Sequence, residues 1–304
     1  MDGDDSLWYI EPYTENLRFE YRVKKVLYQG RTKFQRVDLF DLHAFGKTLF
    51  LDGKLQSAQI DEMVYHEALV HPALLSHRSP GRVLIAGGGE GATLREVLRH
   101  PTVEKAVMVD IDGELVEVCK EYMPEWSQGA FEDERSEIII GDARKYVFDT
   151  DEKFDVVISD LTEPVEEGPS ISLYTLEFLS RIYEILDEEG LYVAQAGSAD
   201  PLYNKFVTGL YRTLREVFEH VSVYVTFIFS FQLLWAFVLA SKKKSPLSID
   251  LAELGNRMES RGLKELYFLN AEVMKGMFSL PNYLLRDLKR GEIFRDGKPF
   301  IWQA

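Results

Sequence analysis

The feature of this sequence that most limits its fold is the alternation of apolar runs with helical stretches after residue 81. Five apolar runs have the composition of buried strands, at 82–87, 105–112, 136–143, 153–161 and 190–197. Segments with helical periodicity, such as TLREVLRH and SLYTLEFLSRIYEIL, lie between them. Strands and helices that alternate in this way form a parallel sheet with helices on both faces. The alternation therefore predicts a doubly wound α/β fold.

The first sixty residues show a different pattern, in which apolar and polar residues alternate and helical periodicity is weak. Gly46 and Gly53 stand where turns between strands are expected. We therefore predict a small antiparallel β domain over residues 1–60 and a second domain over residues 61–304 that contains the doubly wound sheet. The second domain is expected to begin with a helix, EMVYHEALVHPALLSH, whose last turns contain Pro72.

Residues 222–241 form an uncharged segment with the length of a membrane-spanning helix. Val, Ile, Thr, Tyr and Phe dominate this segment, and the residues at 230–232 interrupt it near the middle. These residue types favour strands, so the segment predicts two antiparallel strands joined by a short turn at the edge of the sheet. Residues 248–304 are predicted to be mostly helical, with Pro281 as a helix breaker.

The charge of the chain limits its partners. It contains 35 Lys and Arg against 50 Asp and Glu, a formal net charge of −15, which repels nucleic acid and attracts cationic small molecules. The single cysteine, Cys119, excludes an internal disulfide framework and a cysteine zinc site, and it is predicted to be a buried helix residue. The N-terminal segment MDGDDSLWYIEP lacks the apolar core of a secretory signal, so we expect a cytoplasmic protein without a membrane anchor.

A glycine-rich turn follows the first strand of the doubly wound part. Its sequence, Gly87-Gly88-Gly89-Glu90-Gly91, allows a sharp turn and close approach of the backbone to a ligand. The turn does not have the G-x-G-x-x-G spacing of a dinucleotide site, and the carboxylate of Glu90 would repel a pyrophosphate. Taken alone it is a weak signal, because a tight strand-to-helix turn without a ligand also explains it.

Acidic residues also stand at the ends of the following strands. Asp110, Asp142 and Asp160 end the second, third and fourth strands, at the sheet edge where ligands of open α/β sheets bind. A single aspartate at such a position is most simply explained as a helix cap. Together with Glu90 they form a set of like charges in one cleft, which is costly unless a cationic ligand compensates them.

Other catalytic motifs are absent from the sequence. His66 and His71 flank Glu67 on the predicted first helix, but five positions place their rings roughly 140° apart, too far to share a metal ion. The sequence contains no G-x-S-x-G nucleophile motif. The predicted site is therefore a cleft of carboxylates without a metal or a nucleophilic serine.

Several longer motifs together resemble one known family. They are LFLDGKLQSA at 49–58, DEMVYHEALVHPAL at 61–74, GGGEGATLREVLRH at 87–100, VDIDGELVEVCKEYMPEW at 109–126, GDARKYV at 141–147 and DLTEPVEEGPSISLYTLEF at 160–178. The chain resembles the polyamine aminopropyltransferases, the spermidine/spermine/thermospermine synthase family. The resemblance implies a small N-terminal β domain followed by a methyltransferase-like Rossmann domain, assembled into dimers or tetramers.

The resemblance also implies an activity. Such enzymes transfer the 3-aminopropyl group of decarboxylated S-adenosylmethionine, a co-substrate, to an amine and release methylthioadenosine, without a prosthetic group. Asp160 resembles the catalytic aspartate, which orients the amine and accepts its proton. The residues implied in binding the co-substrate are Gln35, the glycines Gly87, Gly88 and Gly89, Glu90 at the aminopropyl amine, Asp110 and Ile111 at the ribose side, Asp142 and Ala143 at the adenine, and Pro169 in the wall. The residues implied in binding the acceptor are Tyr65, His66, Glu90, Glu163 and Gln195.

The chain departs from diamine-using members of this family at three motifs. It has Tyr65-His66-Glu67, GGGEGA and a segment from Asp160 to Pro169 that is two residues longer, where those enzymes carry Tyr-Gln-Glu, GGGDGG and Asp-Ser-x-Asp-Pro. These departures resemble the thermospermine synthases and the prokaryotic triamine and agmatine enzymes. They favour spermidine, converted to thermospermine or spermine, or agmatine as the acceptor.

Three alternatives stay open at this point. Putrescine is the alternative acceptor, which would make the chain a spermidine synthase. A small-molecule methyltransferase that uses S-adenosylmethionine shares the fold, and fold alone does not decide chemistry. A polyamine-binding protein that has lost turnover would keep the same acidic cleft.

Overall fold

The computed structural model describes residues 7–166 and 168–302. Residues 1–6, which are the first half of the N-terminal segment MDGDDSLWYIEP, lie outside the described residues. Within those ranges the first part of the chain forms an antiparallel five-stranded sheet with the order β1-β2-β3-β4-β5. Its strands are β1 Leu7–Thr14, β2 Leu17–Arg31, β3 Arg36–Leu42, β4 Gly46–Leu51 and β5 Lys54–Ala58. The predicted antiparallel β module is therefore confirmed; the division into two domains at residue 60 stays a prediction.

The second sheet has seven strands within the described ranges, in the order β11-β12-β10-β9-β6-β7-β8. They are β6 Arg82–Gly87, β7 Lys105–Asp110, β8 Ser136–Ile140, β9 Phe154–Asp160, β10 Leu186–Ser198, β11 His220–Ile228 and β12 Leu233–Ser241. The strands from β10 to β8 are parallel, whereas β12 and β11 add an antiparallel edge. Both the doubly wound sheet and the hairpin predicted at 222–241 are confirmed. No helix in the described part of the chain is long and apolar enough to cross a membrane.

Helices cover both faces of the second sheet. They are α1 Glu62–Ser76, α2 Ala92–Leu98, α3 Gly113–Tyr122, α4 Pro124–Ser127, α5 Ala143–Asp149, α6 Leu176–Ile185, α7 Lys205–Arg215, α8 Leu251–Ser260, α9 Ala271–Met277 and α10 Asn282–Asp287. Alternate strand residues point to opposite faces. Ile85 and Met108 therefore pack in one core with α1, α2, α8 and α9, while Leu84 and Val107 pack in another with α5, α6, α7 and α10.

A third apolar cluster joins the two sheets. Val37 and Leu49 of the N-terminal sheet pack with Leu115 and Cys119 of α3 and with Trp126 of α4. The predicted burial of the cysteine in a helix is confirmed, since it is unpaired and buried. This contact lays strands β3 and β4 over the carboxyl ends of the parallel strands.

The end of the chain differs from the prediction of a mostly helical segment. Helices α8, α9 and α10 occupy part of 248–287, but the segment 288–302 contains no helix. Its aromatic residues decide its path, because Phe294 and Phe300 stack on Phe206 of α7. The free energy gained by burying these rings against the rest of the fold outweighs helical propensity in this segment.

Candidate active site

A cavity opens at the carboxyl ends of β6, β7 and β9. It encloses about 910 Å³, including space open to solvent, and strands β4 and β5 of the N-terminal sheet form its other wall. We call it the strand-end cavity. The predicted site residues that line it are Gln35, Tyr65, Gly87, Gly88, Gly89, Glu90, Asp110, Ile111, Asp142, Ala143, Asp160 and Pro169. The four carboxylates expected from the strand ends therefore share one cavity.

Three predicted site residues lie outside this wall. His66 is buried behind Glu90, and Glu163 lines a neighbouring cavity. Gln195, expected in the wall, instead lies beneath it on β10, where its amide donates hydrogen bonds to the Leu161 carbonyl at 2.8 Å and the Tyr174 hydroxyl at 3.3 Å. Its amide is satisfied by these protein groups, so Gln195 supports the loop after β9.

The glycine-rich turn lets the strand ends approach each other. Gly87 has a φ of +84°, and a Cβ at this position would collide with the Asp160 carbonyl. A Cβ on Gly89 would come within 2.8 Å of the Asp110 carboxylate. At Gly87 both the left-handed backbone conformation and the lack of space require glycine, whereas at Gly89 a side chain would crowd the Asp110 carboxylate. The turn thus brings the acids at the ends of β7 and β9 to the same opening.

The Asp160 carboxylate is held at both of its oxygens. The Tyr65 hydroxyl donates to Oδ1 at 3.0 Å, and the Thr93 hydroxyl donates to Oδ2 at 2.6 Å. Tyr65 lies on α1 and Thr93 lies in the first turns of α2, so two helices fix one carboxylate. The predictions from the sequence did not include Thr93. Its place just after the glycine-rich turn was the available signal, since a residue there lies close to the strand ends.

Gln35 is tied to the far side of the cavity. Its amide donates to Asp112 Oδ2 at 2.8 Å, and the Thr32 hydroxyl donates to the same oxygen at 2.6 Å. Asp112 also caps α3 and donates its own N–H to Asp110 Oδ1 at 2.8 Å. Burial raises the pKa of Asp110 from 3.8 to about 6. A ligand that donates hydrogen bonds to this carboxylate would offset that cost of burial.

Asp142 illustrates the simpler explanation for an acidic strand end. Its Oδ1 accepts the N–H groups of Arg144 at 2.8 Å and Lys145 at 3.3 Å, so it caps α5. Asp110 instead accepts the Asp112 N–H, and Asp160 accepts the hydroxyls of Tyr65 and Thr93. The cap orients the Asp142 carboxylate at the rim of the cavity, beside Ala143.

Glu90 is the end of a buried chain of charged groups. His66 Nε2 lies 2.5 Å from Glu90 Oε1, and His66 Nδ1 lies 2.6 Å from the Glu62 carbonyl and 3.1 Å from Glu62 Oε2. Arg95 donates to both Glu62 oxygens at 3.2 and 2.9 Å. Burial alone would lower the pKa of His66, but the Glu90 and Glu62 carboxylates outweigh it and raise this pKa to about 10. Burial raises the pKa of Glu90, and His66 opposes that change.

A second cavity lies beside the first, on the other side of the loop that follows Asp160. It encloses about 560 Å³, and we call it the aromatic cavity. Its wall consists of Glu11, Tyr13, Phe19, Tyr21, Lys54, Leu55, Glu163, Val165, Phe231, Leu233, Trp235 and Trp302. The pKa of Glu11 and that of Glu163 are both raised by burial. Rings and carboxylates together suit an alkyl chain that carries cationic nitrogens.

The two cavities meet at shared elements. Tyr65 bonds Asp160 in the strand-end cavity, while its ring packs edge-on against Phe231 of the aromatic cavity at 6.0 Å. Glu163 follows Asp160 by three residues on the same loop. Across the described residues, no group of three or more His, Cys, Asp or Glu side chains is arranged to hold a metal ion. The arrangement is suited to bringing two cationic small molecules together at Asp160.

Comparison with known proteins agrees with this geometry. Residues 62–251 match the family model described as the spermine/spermidine synthase domain, and residues 7–59 match the spermidine synthase tetramerisation domain. The polyamine aminopropyltransferase 1 of Hyperthermus butylicus is 46% identical over 82% of this chain and 86% of its own length. The polyamine aminopropyltransferase of Sulfolobus acidocaldarius is 41% identical over 91% of both chains. A spermidine synthase solved in complex with the transition-state analogue AdoDATO superposes with a TM-score of 0.87 at 36% identity, covering 93% of this chain and 95% of that one.

Proposed function

Because the chain belongs to the spermine/spermidine synthase family and is a polyamine aminopropyltransferase that uses decarboxylated S-adenosylmethionine, we propose a division of labour between its two cavities. The strand-end cavity holds the sulfonium co-substrate, and the aromatic cavity holds the far end of the amine acceptor. One observation carries the proposal: Glu90, Asp110, Asp142 and Asp160 line a single cavity. Such crowded carboxylates are stabilised by cationic ligands.

The co-substrate lies along the strand ends in this proposal. Asp110 and Gln35 take the ribose side, with Ile111 beside them, and Asp142 and Ala143 hold the adenine. The backbone of the glycine-rich turn allows the nucleoside to approach closely, and Pro169 closes the wall. The Glu90 carboxylate receives the ammonium of the aminopropyl arm. Its place in the wall and its contact with His66 support this role.

The reaction is an in-line displacement at the aminopropyl carbon bonded to sulfur. The acceptor nitrogen forms a new bond to that carbon, the carbon–sulfur bond breaks, and sulfur keeps the electron pair as neutral methylthioadenosine. The protein must therefore align three atoms and supply an unprotonated amine, since an alkylammonium with a pKa near 10.4 carries no free lone pair. Asp160 orients the amine by a charge-assisted hydrogen bond and accepts its proton. The bonds from Tyr65 and Thr93 hold its carboxylate for this task.

The preferred acceptor is longer than a diamine in this proposal. Glu163 and Glu11 place carboxylates in the aromatic cavity, beyond Asp160, where further nitrogens of spermidine or the guanidinium of agmatine would lie. Putrescine would reach less of this cavity. We therefore favour spermidine, converted to thermospermine or spermine, or agmatine, with putrescine as the alternative.

The decisive experiment is incubation of the enzyme with decarboxylated S-adenosylmethionine and a panel of spermidine, agmatine and putrescine, with products identified by mass spectrometry. We expect methylthioadenosine and an acceptor heavier by one aminopropyl group, formed fastest from spermidine or agmatine. The Asp160→Asn variant should lose about 100-fold or more in kcat. Full turnover by a folded Asp160→Asn protein would contradict the assigned role, and fastest turnover of putrescine would contradict the proposed acceptor.

Glu90 allows a separate test of the co-substrate site. S-adenosylmethionine carries a carboxylate that its decarboxylated form lacks, and Glu90 would repel it. Calorimetry should therefore show tighter binding of the decarboxylated form, with a difference that shrinks in Glu90→Gln. Because burial raises the pKa of Glu90, the preference should weaken as acidic pH neutralises this carboxyl group. Equal affinities for both nucleosides in the wild-type protein would remove this explanation.

The assembly and the cellular location are also proposals. We propose a homo-oligomer, a dimer or tetramer, formed through the N-terminal sheet; the family match over residues 7–59 and the exposed Leu7, Trp8 and Ile10 on β1 support it. We propose a cytoplasmic location. The net charge of −15 supports an enzyme that does not bind nucleic acid. Light scattering at several concentrations measures the assembly, and a monomer at all of them would contradict it.

A further inference from the structure

The C-terminal segment 291–302 is anchored on the α/β part of the fold. The Leu176 N–H donates to the Phe294 carbonyl at 2.8 Å, and the Phe294 N–H donates to Thr213 Oγ1 at 2.9 Å. Asp296 pairs with Arg144 at 2.6 Å. These contacts hold the segment in place independently of the two cavities. This segment lies beyond residues 62–251, which match the family model.

The described end of this segment pairs with the loop that follows Asp160. The Trp302 N–H donates to the Pro164 carbonyl at 2.7 Å, and Trp302 forms a parallel bridge with Val165. Glu163 directly precedes these two loop residues. The anchored segment thus restrains the part of the loop that carries the Glu163 carboxylate.

The Trp302 side chain also lines the aromatic cavity. It shares that wall with Phe231, Trp235 and the carboxylates of Glu11 and Glu163. Indole is the aromatic side chain that attracts cations most strongly, and nearby carboxylates add to the attraction. A ring placed there meets the same cationic nitrogens that the carboxylates attract.

We propose that Trp302 is a specificity-determining residue, whose indole contacts a cationic nitrogen remote from the reacting amine of the acceptor. This inference deepens the proposed function and depends on it. The ligand class is an extended acceptor with a second ammonium or a guanidinium. The C-terminal segment therefore belongs to the acceptor site, both through this ring and through its restraint of Glu163.

The test is steady-state kinetics of Trp302→Ala and Trp302→Phe with spermidine, agmatine and putrescine. Loss of the indole should raise the KM for the preferred long acceptor about tenfold. The KM for decarboxylated S-adenosylmethionine should stay within about twofold, because Trp302 lies outside the strand-end cavity. Trp302→Phe keeps a ring and should show a smaller rise. The matched control is Ile301→Ala, a neighbouring residue whose side chain is 38% exposed and outside both cavities.

The outcomes separate this inference from the proposed function. A wild-type enzyme inactive with every amine would contradict the proposed function itself. In another outcome, the wild type is active while Trp302→Ala and Trp302→Phe keep its ratio of kcat/KM for the long acceptors to kcat/KM for putrescine. That result would overturn only the role of Trp302. A parallel rise of the KM for both substrates in both variants would also overturn it, because that result indicates a general structural role.

Discussion

His66 Nε2 lies 2.5 Å from Glu90 Oε1, so a buried imidazole stands directly behind the carboxylate that faces the strand-end cavity. The same ring contacts Glu62 on its other side. His66, which the family resemblance placed in the acceptor site, therefore lies behind Glu90 and lines neither cavity. Burial raises the pKa of Glu90, and the adjacent His66 opposes that rise.

The first prediction concerns the pH dependence of stability. The pKa of His66 is raised from 6.5 to about 10 in the folded protein, with Glu90 and Glu62 outweighing burial. The folded state thus binds this proton more tightly than the unfolded state, so its stabilising effect is complete below pH 6.5 and is lost as the pH rises through 10. His66→Gln should lower the free energy of unfolding at pH 6 and should lower it less near pH 10. Urea denaturation at both pH values measures the two losses. The exposed His43→Gln is the control; an equal loss at every pH would contradict this prediction.

The second prediction concerns Thr93. Thr93→Val removes the hydroxyl that donates to Asp160 Oδ2 at 2.6 Å but keeps the shape of the buried side chain. Because a hydrogen bond to a charged group is worth about 1.5–3 kcal/mol, we expect kcat to fall by about tenfold or more. The KM for decarboxylated S-adenosylmethionine should change little, and Thr93→Ser should restore most of kcat. Unchanged kcat in Thr93→Val would show that Tyr65 alone orients Asp160.

The third prediction concerns binding of methylthioadenosine. Burial raises the pKa of Asp110 to about 6, so its proton is bound more tightly in the folded, ligand-free protein. The free protein therefore gains stability from Asp110 as the pH falls below 6. Protonation also removes the charge of Asp110, which should weaken its proposed contact with the ribose. Calorimetry between pH 5 and 8 should show weaker binding at the acidic end.

Asp110→Asn provides the decisive comparison for that titration. The variant should bind methylthioadenosine about tenfold more weakly at pH 8, because an amide is a poorer acceptor for ribose hydroxyls. It should also lose the acidic weakening. Asp151→Asn, at an exposed surface position, is the matched control. An Asp110→Asn protein with the wild-type pH profile would exclude Asp110 as the titrating group.

The fourth prediction concerns the buried charges behind the site. Arg95 pairs with Glu62 at 2.9 Å and with Glu96 at 2.8 Å, and both carboxylates are buried. Arg95→Met leaves them without this partner, which should cost about 3–5 kcal/mol in the free energy of unfolding. The exposed pair of Arg18 with Glu20 offers a control, since Arg18→Met should cost less than about 1 kcal/mol. Chemical denaturation measures both; similar losses would contradict a special role for the buried network.

Much of the sheet was predictable because its signal is local. The apolar run at 82–87 coincides with β6, and the turn after it has the glycines that its backbone needs. Acids at the ends of parallel strands must meet at one edge of the sheet, so Asp110 and Asp160 were expected in one cleft before any side chain was placed. The hairpin of β11 and β12 followed from β-favouring residues in the same way.

Other parts of the site depend on packing between distant segments. The aromatic cavity and the C-terminal segment carried no local signal for their roles. Phe294 and Phe300 are ordinary aromatic residues until they stack on Phe206. Likewise, no spacing rule showed that Gln195 would point beneath the loop and bond the Leu161 carbonyl.

The amino-acid sequence by itself determined the order of strands and helices, the glycine turn and the strand ends on which carboxylates stand, because these follow from backbone sterics and periodic burial of apolar residues. Only the tertiary structure decided which atoms meet: His66 with Glu90, Thr93 with Asp160, and Trp302 with the loop carrying Glu163. The physical reason is that a side-chain contact across tens of residues depends on the packing of whole elements, which places both partners to within a fraction of an ångström.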